Sequence, residues 1–426
     1  MNLIIDRGAV RIGISSRRSK SPERIVLYSP GIVGLGHMRR NLLIGQTLTT
    51  GSKNASVLMI AEERHMGSYS MPIGMDCVIL PALHKDANGQ FGARYLNMPL
   101  EDLVDMRSNI IGATLKAFDP DVLIVDNLPR GAQRELDSPL KSLREKGHTR
   151  CVLGLRDILD DPDVVQREWQ TAGNFDVIRR NYDSIWIYGD KKVYDQVSQY
   201  SYPSDIAAKV RYTGYLDQRT RLDFADKDCS DPLEALALPH GTLTLCLVGG
   251  GQDGGALAEC LADAELPPDM NLIIVTGPFM PAAARLRLRL KESANPRLRV
   301  LEFLPEPTQL LKLADRVIAM GGYNTVSEIL CFEKPALIVP RVKPRLEQLI
   351  RAERLQHLGL LEYLHPDNLD PKALANWLSK KTSPSQVRSL LELNGLECIP
   401  NLIRDLTRKP IECHTSSGMR ISQYAI

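Results

Sequence analysis

The stretch TLTLCLVGGGQDGGALAE, residues 242–259, runs from an apolar segment through a glycine-rich turn into a segment with helical spacing. Glycine permits left-handed backbone and removes side-chain bulk, so a ligand can approach the amides of this turn. The helix that follows would offer free N–H groups and the positive end of its dipole. The pattern predicts a phosphate site at glycines 249, 250, 251 and 254, while close packing of strand against helix would explain the glycines equally well.

The same alternation of apolar strands and helical segments extends in both directions from this turn. Fully apolar strands such as DVLIVDNLP (121–129) and NLIIVTGP (271–278) are typical of parallel sheets that are covered on both faces. The polar stretch DQRTRLDFADKDCSDP (217–232) separates two such series of nearly equal length. The sequence therefore predicts an α/β protein with two doubly wound, Rossmann-like domains.

The predicted boundaries follow from these changes in pattern. We expect a flexible N-terminal segment over 1–24, a first domain over 25–217, a second domain over 218–404 and a tail over 405–426.

Bulk composition excludes several classes of protein. The chain has 426 residues, 43% hydrophobic and 24% charged, with a formal net charge of +2, so nothing indicates a nucleic-acid partner. No apolar run reaches the ~20 residues of a membrane span. Eight cysteines without a CxxC pair indicate reduced thiols in a cytoplasmic protein, and the histidines show no metal-ligand spacing. The segment RLRLRLKES (285–293) reads as a solvated basic surface, which leaves peripheral contact with an anionic membrane open.

A second glycine turn lies at AMGGYNTVSEIL, residues 319–330. Gly321 and Gly322 follow an apolar strand, and we expect Asn324, Thr325 and Ser327 to cap the next helix. Asn324 and Glu328 are four residues apart and share one face of that helix. A carboxylate there could bind a ribose diol, or it could simply favour the helix dipole.

These residues carry a resemblance to a known family. GGYNTVSEIL, with KPALIVPR and EQLIRAERL, resembles the donor half of GT-B glycosyltransferases. The likeness is greatest to the family of the N-acetylglucosaminyltransferase that completes the lipid-linked peptidoglycan precursor. GIVGLGHMRRN (31–41) is similar to the N-terminal glycine loop of that family. The likeness extends over residues 25 to 400 and implies two domains facing a cleft.

The resemblance implies roles for particular residues. The second domain would hold the nucleotide sugar, with Glu328 on the ribose hydroxyls. The turn at 249–255 would lie against the pyrophosphate, with Gly321, Gly322 and Asn324 on its other side and Thr325 beside them. Glu347 and Gln348 would meet the hydroxyls of the donor sugar. The fold implies no metal and no cofactor beyond the nucleotide-sugar substrate.

The sequence also departs from the family pattern. Met38, Arg39 and Arg40 stand where the family usually has a proline after its GH pair, and Tyr323 and Asn324 replace small residues. The family's acceptor is therefore not carried over, and both a lipid-linked acceptor and a secondary metabolite stay open.

His37 ends the N-terminal glycine turn, which includes Gly34 and Gly36. Inverting glycosyl transfer needs a base for the acceptor hydroxyl, and imidazole suits this task near neutral pH. A carboxylate on its other nitrogen would orient it, and Asp126, at the end of DVLIVD, is the candidate. A phosphate contact by His37 and a turn-forming role for Asp126 remain alternatives. Arg39 and Arg40 are candidates for contact with an anionic group.

The sequence therefore predicts an inverting, metal-independent glycosyltransferase that uses a nucleotide-diphosphate sugar, preferably a UDP sugar, and an unidentified hydroxyl acceptor. A nucleotide-sugar 2-epimerase and a non-catalytic sugar-nucleotide-binding protein are the two alternatives. Acceptor specificity is expected in loops such as LHKDANGQFGARYLN (83–97).

Overall fold

The computed structural model describes residues 23–31, 36–50, 55–62, 69–85, 90–225, 233–304, 306–408, 411–414 and 420–423. The predicted flexible segment over 1–24 lies almost wholly outside the described residues, and so does Gly34.

The first domain is built on a seven-stranded parallel sheet with the order β3-β2-β1-β6-β7-β8-β9. Two further strands form a small antiparallel hairpin within the predicted specificity loop. The strands are β1 Glu23–Tyr28, β2 Ala55–Ala61, β3 Met75–Ile79, β4 Leu83–Lys85, β5 Phe91–Ala93, β6 Val122–Asp126, β7 Arg150–Arg156, β8 Ser184–Tyr188 and β9 Val210–Tyr212. The helices are α1 Gly36–Thr50, α2 Leu100–Phe118, α3 Asp137–Lys146, α4 Pro162–Thr171, α5 Asn174–Asn181, α6 Gln196–Gln199 and α7 Ser204–Ala207.

The second domain repeats this plan with a six-stranded parallel sheet in the order β12-β11-β10-β13-β14-β15. Its strands are β10 Thr242–Leu247, β11 Met270–Val275, β12 Leu298–Leu301, β13 Arg316–Ala319, β14 Ala336–Ile338 and β15 Glu362–Tyr363. Its helices are α8 Gly255–Ala262, α9 Ala282–Ala294, α10 Thr308–Leu313, α11 Tyr323–Cys331, α12 Glu347–His357, α13 Pro371–Leu378 and α14 Val387–Leu390.

Both sheets have a point at which the strand order reverses, between β1 and β6 and between β10 and β13. The loops after adjacent strands at such a point lead away in opposite directions and leave a crevice, which is where ligands bind in open α/β sheets. Continuous apolar strands produce this arrangement, because a strand buried on both faces must have helices on each side. All five residues of β6 are buried, for example. The predicted fold class therefore agrees with the observed topology.

The last helix, α15 Gly395–Arg408, returns to the first domain. Tyr215 donates its backbone N–H to Glu392 O at 2.8 Å, and Gly395 donates to Tyr215 O at 3.0 Å. A side chain at Gly395 would lie 2.8 Å from Gly214 O, which accounts for the glycine. The stretch predicted as a tail holds the end of α15 and a hairpin, β16 Ile411–His414 and β17 Arg420–Gln423.

A buried ion pair and an apolar core hold the two domains together. Arg351 on α12 donates to Asp157, after β7, at 2.6 Å, and both side chains are 1% exposed. Tyr215 donates to the same carboxylate at 2.9 Å and stacks on Tyr323, with ring centroids 6.2 Å apart. Because substitution of either Arg351 or Asp157 would leave the other charge buried and unpaired, the docked arrangement depends on both residues.

The basic segment 285–293 forms most of α9. Its arginines are neutralised in pairs: Arg287 with Glu259 at 2.7 Å, Arg289 with Glu292 at 2.8 Å, and Arg285 with Glu302. The segment therefore presents paired charges rather than a free basic stripe. No helix in the described part of the chain combines the length and apolarity needed to cross a membrane.

Candidate active site

His37 and Asp126 meet at the strand reversal of the first domain. His37 is in the first turn of α1, which follows β1, and Asp126 is the last residue of β6, the neighbour of β1. His37 Nδ1 lies 2.8 Å from Asp126 Oδ2. The carboxylate is fully buried, whereas the imidazole is 22% exposed. The topology thus brings together two residues that are 89 positions apart in the sequence.

Arg40 shares this carboxylate. Its Nη2 donates to Asp126 Oδ1 at 2.5 Å and to Oδ2 at 2.7 Å. Burial opposes ionisation, but Arg40 and His37 together hold the pKa of Asp126 below its usual value. Because an ionised carboxylate only accepts hydrogen bonds, its contact with His37 requires a proton on Nδ1, and in the neutral imidazole Nε2 then keeps its lone pair. Arg40 Nη2 lies 3.1 Å from the same Nδ1. Asp126 therefore fixes the tautomer and orientation of the imidazole ring, while Arg40 neutralises the negative charge of the Asp126 carboxylate.

The glycines of the turn after β10 divide into two groups. Gly249 and Gly250 line a cleft between the domains. Gly251 does not: its φ is +89°, and a Cβ there would lie 2.0 Å from Thr276 O. A Cβ on Gly254 would lie 2.3 Å from Val248 Cβ. The first two glycines are thus open to the cleft, as the predicted phosphate site requires, and the other two are required by packing.

The turn after β13 exposes Gly322, whose absent side chain would meet no atom within 4 Å. The cap of α11 is Gly322, and no side chain caps this helix, so the expected capping by Asn324, Thr325 and Ser327 is wrong. Asn324 Nδ2 instead donates across the domains to Gly36 O at 2.8 Å. The first N–H groups of α11 therefore have no side-chain cap, and Gly322, Asn324 and Thr325 at this end of the helix line the cleft.

Glu328 also lines the cleft and is 1% exposed. Its Oε1 lies 3.2 Å from Arg39 Nη2 and 3.9 Å from Arg221 Nε, yet it accepts no hydrogen bond. Arg39 Nη2 also donates to Glu306 at 2.8 Å. Burial raises the pKa of Glu328, and the two arginines only partly offset this. Glu328, the predicted ribose ligand, thus lies in the cleft and pairs with an arginine from the other domain.

Glu347 and Gln348 line neither the cleft nor the cavity described below. Gln348 Oε1 accepts from Gly321 N at 3.1 Å and from Arg341 N at 3.0 Å. Arg341 Nη2 donates to Glu347 Oε1 at 2.7 Å. These side chains tie strand ends together, and Gly321 packs on Gln348 rather than facing the cleft. Glu347 Oε2 is buried without a hydrogen-bond partner, and the predicted contact of this pair with the donor sugar stays a prediction.

Arg156, at the end of β7, is a residue that the sequence analysis missed. It lines the cleft and donates to Leu159 O at 2.9 Å, but its buried Nε has no partner. Burial lowers its pKa and the nearby Glu347 carboxylate only partly offsets this, while Arg351 and Arg40 lower the pKa further. Among the described residues, no carboxylate forms an ion pair with it. Its place at the carboxyl end of an apolar strand was the available signal.

The cleft encloses about 280 Å³ between the domains. Phe279 and Phe303 line it, and each of these residues is 42% exposed. A second cavity of about 560 Å³ lies on the first-domain side. His37 lines both cavities, so the imidazole stands where they meet. In the described part of the chain, no cluster of His, Cys, Asp or Glu could hold a metal ion.

Similarity to a solved structure defines the class of fold. The chain matches the glycotransferase of kitacinnamycin over 91% of its own length and 99% of the other, with a TM-score of 0.59 at 14% sequence identity. Two doubly wound domains facing a cleft are the GT-B architecture, so the predicted fold is confirmed.

Residues 244–392 match the family described as the glycosyltransferase family 28 C-terminal domain. An uncharacterized glycosyltransferase of Methanosarcina acetivorans is 28% identical over 48% of this chain and 51% of its own length. The UDP-N-acetylglucosamine--N-acetylmuramyl-(pentapeptide) pyrophosphoryl-undecaprenol N-acetylglucosamine transferase of a Sulfurihydrogenibium species is 30% identical over 32% of this chain and 37% of its own length. The chain thus spans about half, or less, of these curated relatives.

Proposed function

We propose that this protein is an inverting glycosyltransferase that uses a nucleotide-diphosphate sugar, preferably a UDP sugar. The observation that carries the proposal is the place of His37, which is held by Asp126 and lines both the interdomain cleft and the first-domain cavity. A base at this junction can reach a donor on one side and an acceptor on the other. The family 28 domain and the donor named in the Sulfurihydrogenibium relative support the donor class.

The reaction proceeds by a single displacement. The acceptor hydroxyl oxygen forms a bond to the anomeric carbon, and the bond from that carbon to the diphosphate oxygen breaks. The bonding electron pair leaves with the nucleoside diphosphate. The hydroxyl proton passes to Nε2 of His37, whose Nδ1–H stays on Asp126. The ion pair of Asp126 with Arg40 keeps that carboxylate ionised throughout.

The donor would bind mainly to bare backbone and to cations. The diphosphate lies against Gly249, Gly250 and Gly322 at the start of α11, where N–H groups are free. Arg156 supplies a cation without a carboxylate partner from the opposite domain. These groups neutralise the leaving diphosphate, and we propose that no metal is required.

The nucleoside would occupy the rest of the cleft. The half-exposed rings of Phe279 and Phe303 offer stacking surfaces for a base. Glu328 would accept from the ribose hydroxyls, which its unsatisfied Oε1 favours. Arg39 keeps Glu306 at 2.8 Å as its partner when ribose takes Glu328. Ribose binding therefore leaves Arg39 paired.

Two substitutions distinguish the proposed role of His37 as the base from that of Glu328 as the ribose ligand. We expect His37→Gln to lower kcat by two or more orders of magnitude, as for loss of a general base, with little change in donor affinity. Glu328→Gln should weaken donor binding about tenfold, because a hydrogen bond to a charged group contributes about 1.5–3 kcal/mol. His240→Gln, at an exposed histidine outside both cavities, is the control.

Calorimetry with UDP, GDP and TDP sugars measures affinity, and turnover is followed by release of the nucleoside diphosphate. Absence of binding for all three sugar classes would contradict the proposal. Equal loss of kcat and affinity in His37→Gln would contradict the assignment of the base.

A 2-epimerase shares the donor but needs no acceptor. NMR of the nucleotide sugar incubated alone with the protein distinguishes the two enzymes, since only an epimerase would change the sugar. A binding protein would take up the nucleotide sugar and show no turnover with acceptors or water.

A further inference from the structure

The carboxylate that holds His37 is shared by two groups that compete for it. Asp126 Oδ2 lies 2.8 Å from His37 Nδ1 and 2.7 Å from Arg40 Nη2. Arg40 Nη2 is itself 3.1 Å from Nδ1. A guanidinium only donates hydrogen bonds, whereas an imidazole nitrogen donates or accepts according to its tautomer. The position of Arg40 therefore decides which group bonds to Nδ1.

Two tautomers of His37 are possible at this contact, and only one of them can act as the base. With Arg40 on the carboxylate, Nδ1–H donates to Asp126 and Nε2 keeps its lone pair. A guanidinium displaced toward the imidazole would donate to Nδ1 instead, and the ring proton would then lie on Nε2. Nε2 would have no lone pair for the proton of an acceptor hydroxyl.

Aromatic rings hold the Arg40 guanidinium in its place on Asp126. The Arg40 side chain is 3% exposed, and among the described residues its buried Nε has no hydrogen-bond partner. Its guanidinium carbon lies 5.6 Å from the ring centroid of Tyr188 and 5.2 Å from that of Tyr323. A cation within about 6 Å of a ring centroid is attracted by the ring, and more strongly where water is excluded.

The two rings come from different domains. Tyr188 is the last residue of β8 in the first domain, and Gly154 on the neighbouring strand leaves room for it, because a Cβ there would lie 2.4 Å from Tyr188 Oη. Tyr323 is the first residue of α11 in the second domain. Tyr188 is thus placed by the first domain alone, whereas Tyr323 reaches Arg40 only across the interface.

The contacts that dock the domains also orient the ring of Tyr323. Its hydroxyl donates to Tyr188 O at 2.8 Å, and its ring stacks on Tyr215 with centroids 6.2 Å apart. The guanidinium carbon of Arg351, which is ion-paired with Asp157 across the domains, lies 5.9 Å from the centroid of the same ring. A continuous set of buried contacts therefore leads from the interdomain ion pair to His37.

We propose that Tyr323 is a positioning residue for the transfer proposed above: its ring keeps Arg40 on Asp126, so that His37 holds the Nδ1–H tautomer only while the domains are docked. The proposal rests on the proposed function for the role of His37 as the base. It couples the arrangement of that base to the closure of the cleft. When the domains separate, Arg40 is released and His37 no longer keeps the lone pair on Nε2.

The test measures the tautomer of His37 by long-range ¹H–¹⁵N NMR of the full chain labelled with ¹⁵N-histidine. No ligand is added, and the pH is about 9, above the range in which histidine side chains usually titrate. The His37 signal, one of eight, is the one missing from His37→Gln. The wild type should carry the proton on Nδ1. In Tyr323→Leu the fraction protonated on Nδ1 should fall to about half or less, because a ring that holds Arg40 is lost.

Further variants separate the ring of Tyr323 from its other contacts. Tyr323→Phe loses only the hydrogen bond to Tyr188 O and should keep the wild-type signal. Tyr194→Leu is the matched control, because Tyr194 is also buried and its ring centroid lies 5.8 Å from the guanidinium carbon of Arg354 in the second domain. Tyr194 lines neither cavity that His37 lines, so its loss should leave the tautomer unchanged. If Tyr323→Leu does not fold, Tyr323→Met takes its place with the same expected fall.

An unchanged Nδ1–H signal after loss of the Tyr323 ring overturns the proposal, and so does an equal fall in Tyr323→Phe or Tyr194→Leu. A proton on Nε2 in the wild type contradicts the assignment of His37 as the base, and this proposal with it. Because the measurement uses no substrate, absence of UDP binding or of turnover contradicts the proposed function alone and leaves the tautomer result standing.

Discussion

Arg40 of the first domain lies over the ring of Tyr323 of the second, with its guanidinium carbon 5.2 Å from the ring centroid. Tyr323 also donates its hydroxyl to Tyr188 O at 2.8 Å, in the first domain. Arg39, Arg40, Tyr323 and Asn324 are four of the five positions at which the sequence departs from the family pattern, and Met38 is the fifth. All four make contacts across the domains. These four residues therefore form one interface between the domains, next to the cleft that His37 lines.

The contact between Asn324 and Gly36 predicts a non-additive pair of substitutions. A Cβ at Gly36 would lie 3.1 Å from Asn324 Nδ2, so Gly36→Ala should push the amide away and weaken donor binding severalfold. Asn324→Ala should have a similar effect through loss of the 2.8 Å hydrogen bond. Because both changes remove one contact, the double variant should be no worse than either single one. Calorimetry on the four proteins measures this, and fully additive losses would contradict the coupling.

Substitution of Arg156 should weaken the binding of ligands that carry phosphate and leave the binding of other ligands unchanged. We expect Arg156→Gln to weaken UDP binding about tenfold or more, because a charge-assisted hydrogen bond contributes about 1.5–3 kcal/mol. Uridine, which has no phosphate, should bind the variant as it binds the wild type. Arg354→Gln, outside the cleft, serves as the control. Parallel loss of uridine and UDP binding would show instead that Arg156 only maintains the structure.

Two glycines predict different effects of substitution: a change at Gly322 should affect UDP binding, and a change at Gly251 should affect the stability of the protein. Gly322 has φ of −63° and free space around its Cα, so Gly322→Ala should fold normally yet weaken UDP binding by obstructing the backbone. Gly251→Ala should destabilise the protein by about 1–3 kcal/mol or more, because its φ is +89° and Thr276 O leaves no room. Urea unfolding and calorimetry on both variants measure this. Unchanged UDP affinity in Gly322→Ala would remove the diphosphate from that turn.

Asp126 predicts a dependence of stability on pH. Asp126→Asn leaves Arg40 buried without a counter-ion and should cost about 3–5 kcal/mol at pH 7. The folded-state pKa of Asp126 lies below its ordinary value of about 3.9, although burial opposes ionisation, because Arg40 and His37 favour the charged form. Its contribution is therefore complete above about pH 4 and is lost as the pH falls through the lower folded value.

Urea unfolding of wild type and Asp126→Asn over a pH series measures this difference. It should stay constant from pH 7 to about pH 4 and shrink only below that. A difference that declined between pH 7 and pH 5 would mean that the carboxylate is not held ionised by Arg40.

The sequence determined the parts of this protein that depend on periodicity and on position at a strand end. Continuous apolar strands required sheets covered on both faces, and the ends of such strands converge at one edge whatever the loops contain. For that reason the approach of His37 to Asp126 and the exposure of Gly249 and Gly322 could be predicted. Arg156 obeyed the same rule and could have been found by it.

Only the tertiary structure decided which side chains form hydrogen bonds and ion pairs with distant parts of the chain. Asn324 and Gly36 are 288 positions apart, and nothing in the sequence around either residue indicates that they form a hydrogen bond. Gln348 accepts from the backbone of Gly321 because α12 packs against the end of β13 within the second domain. Arg39 lies beside Glu328 because the two domains dock in one particular way. Docking depends on the summed shape and charge of both surfaces, whereas periodicity reports only which face of each element is buried.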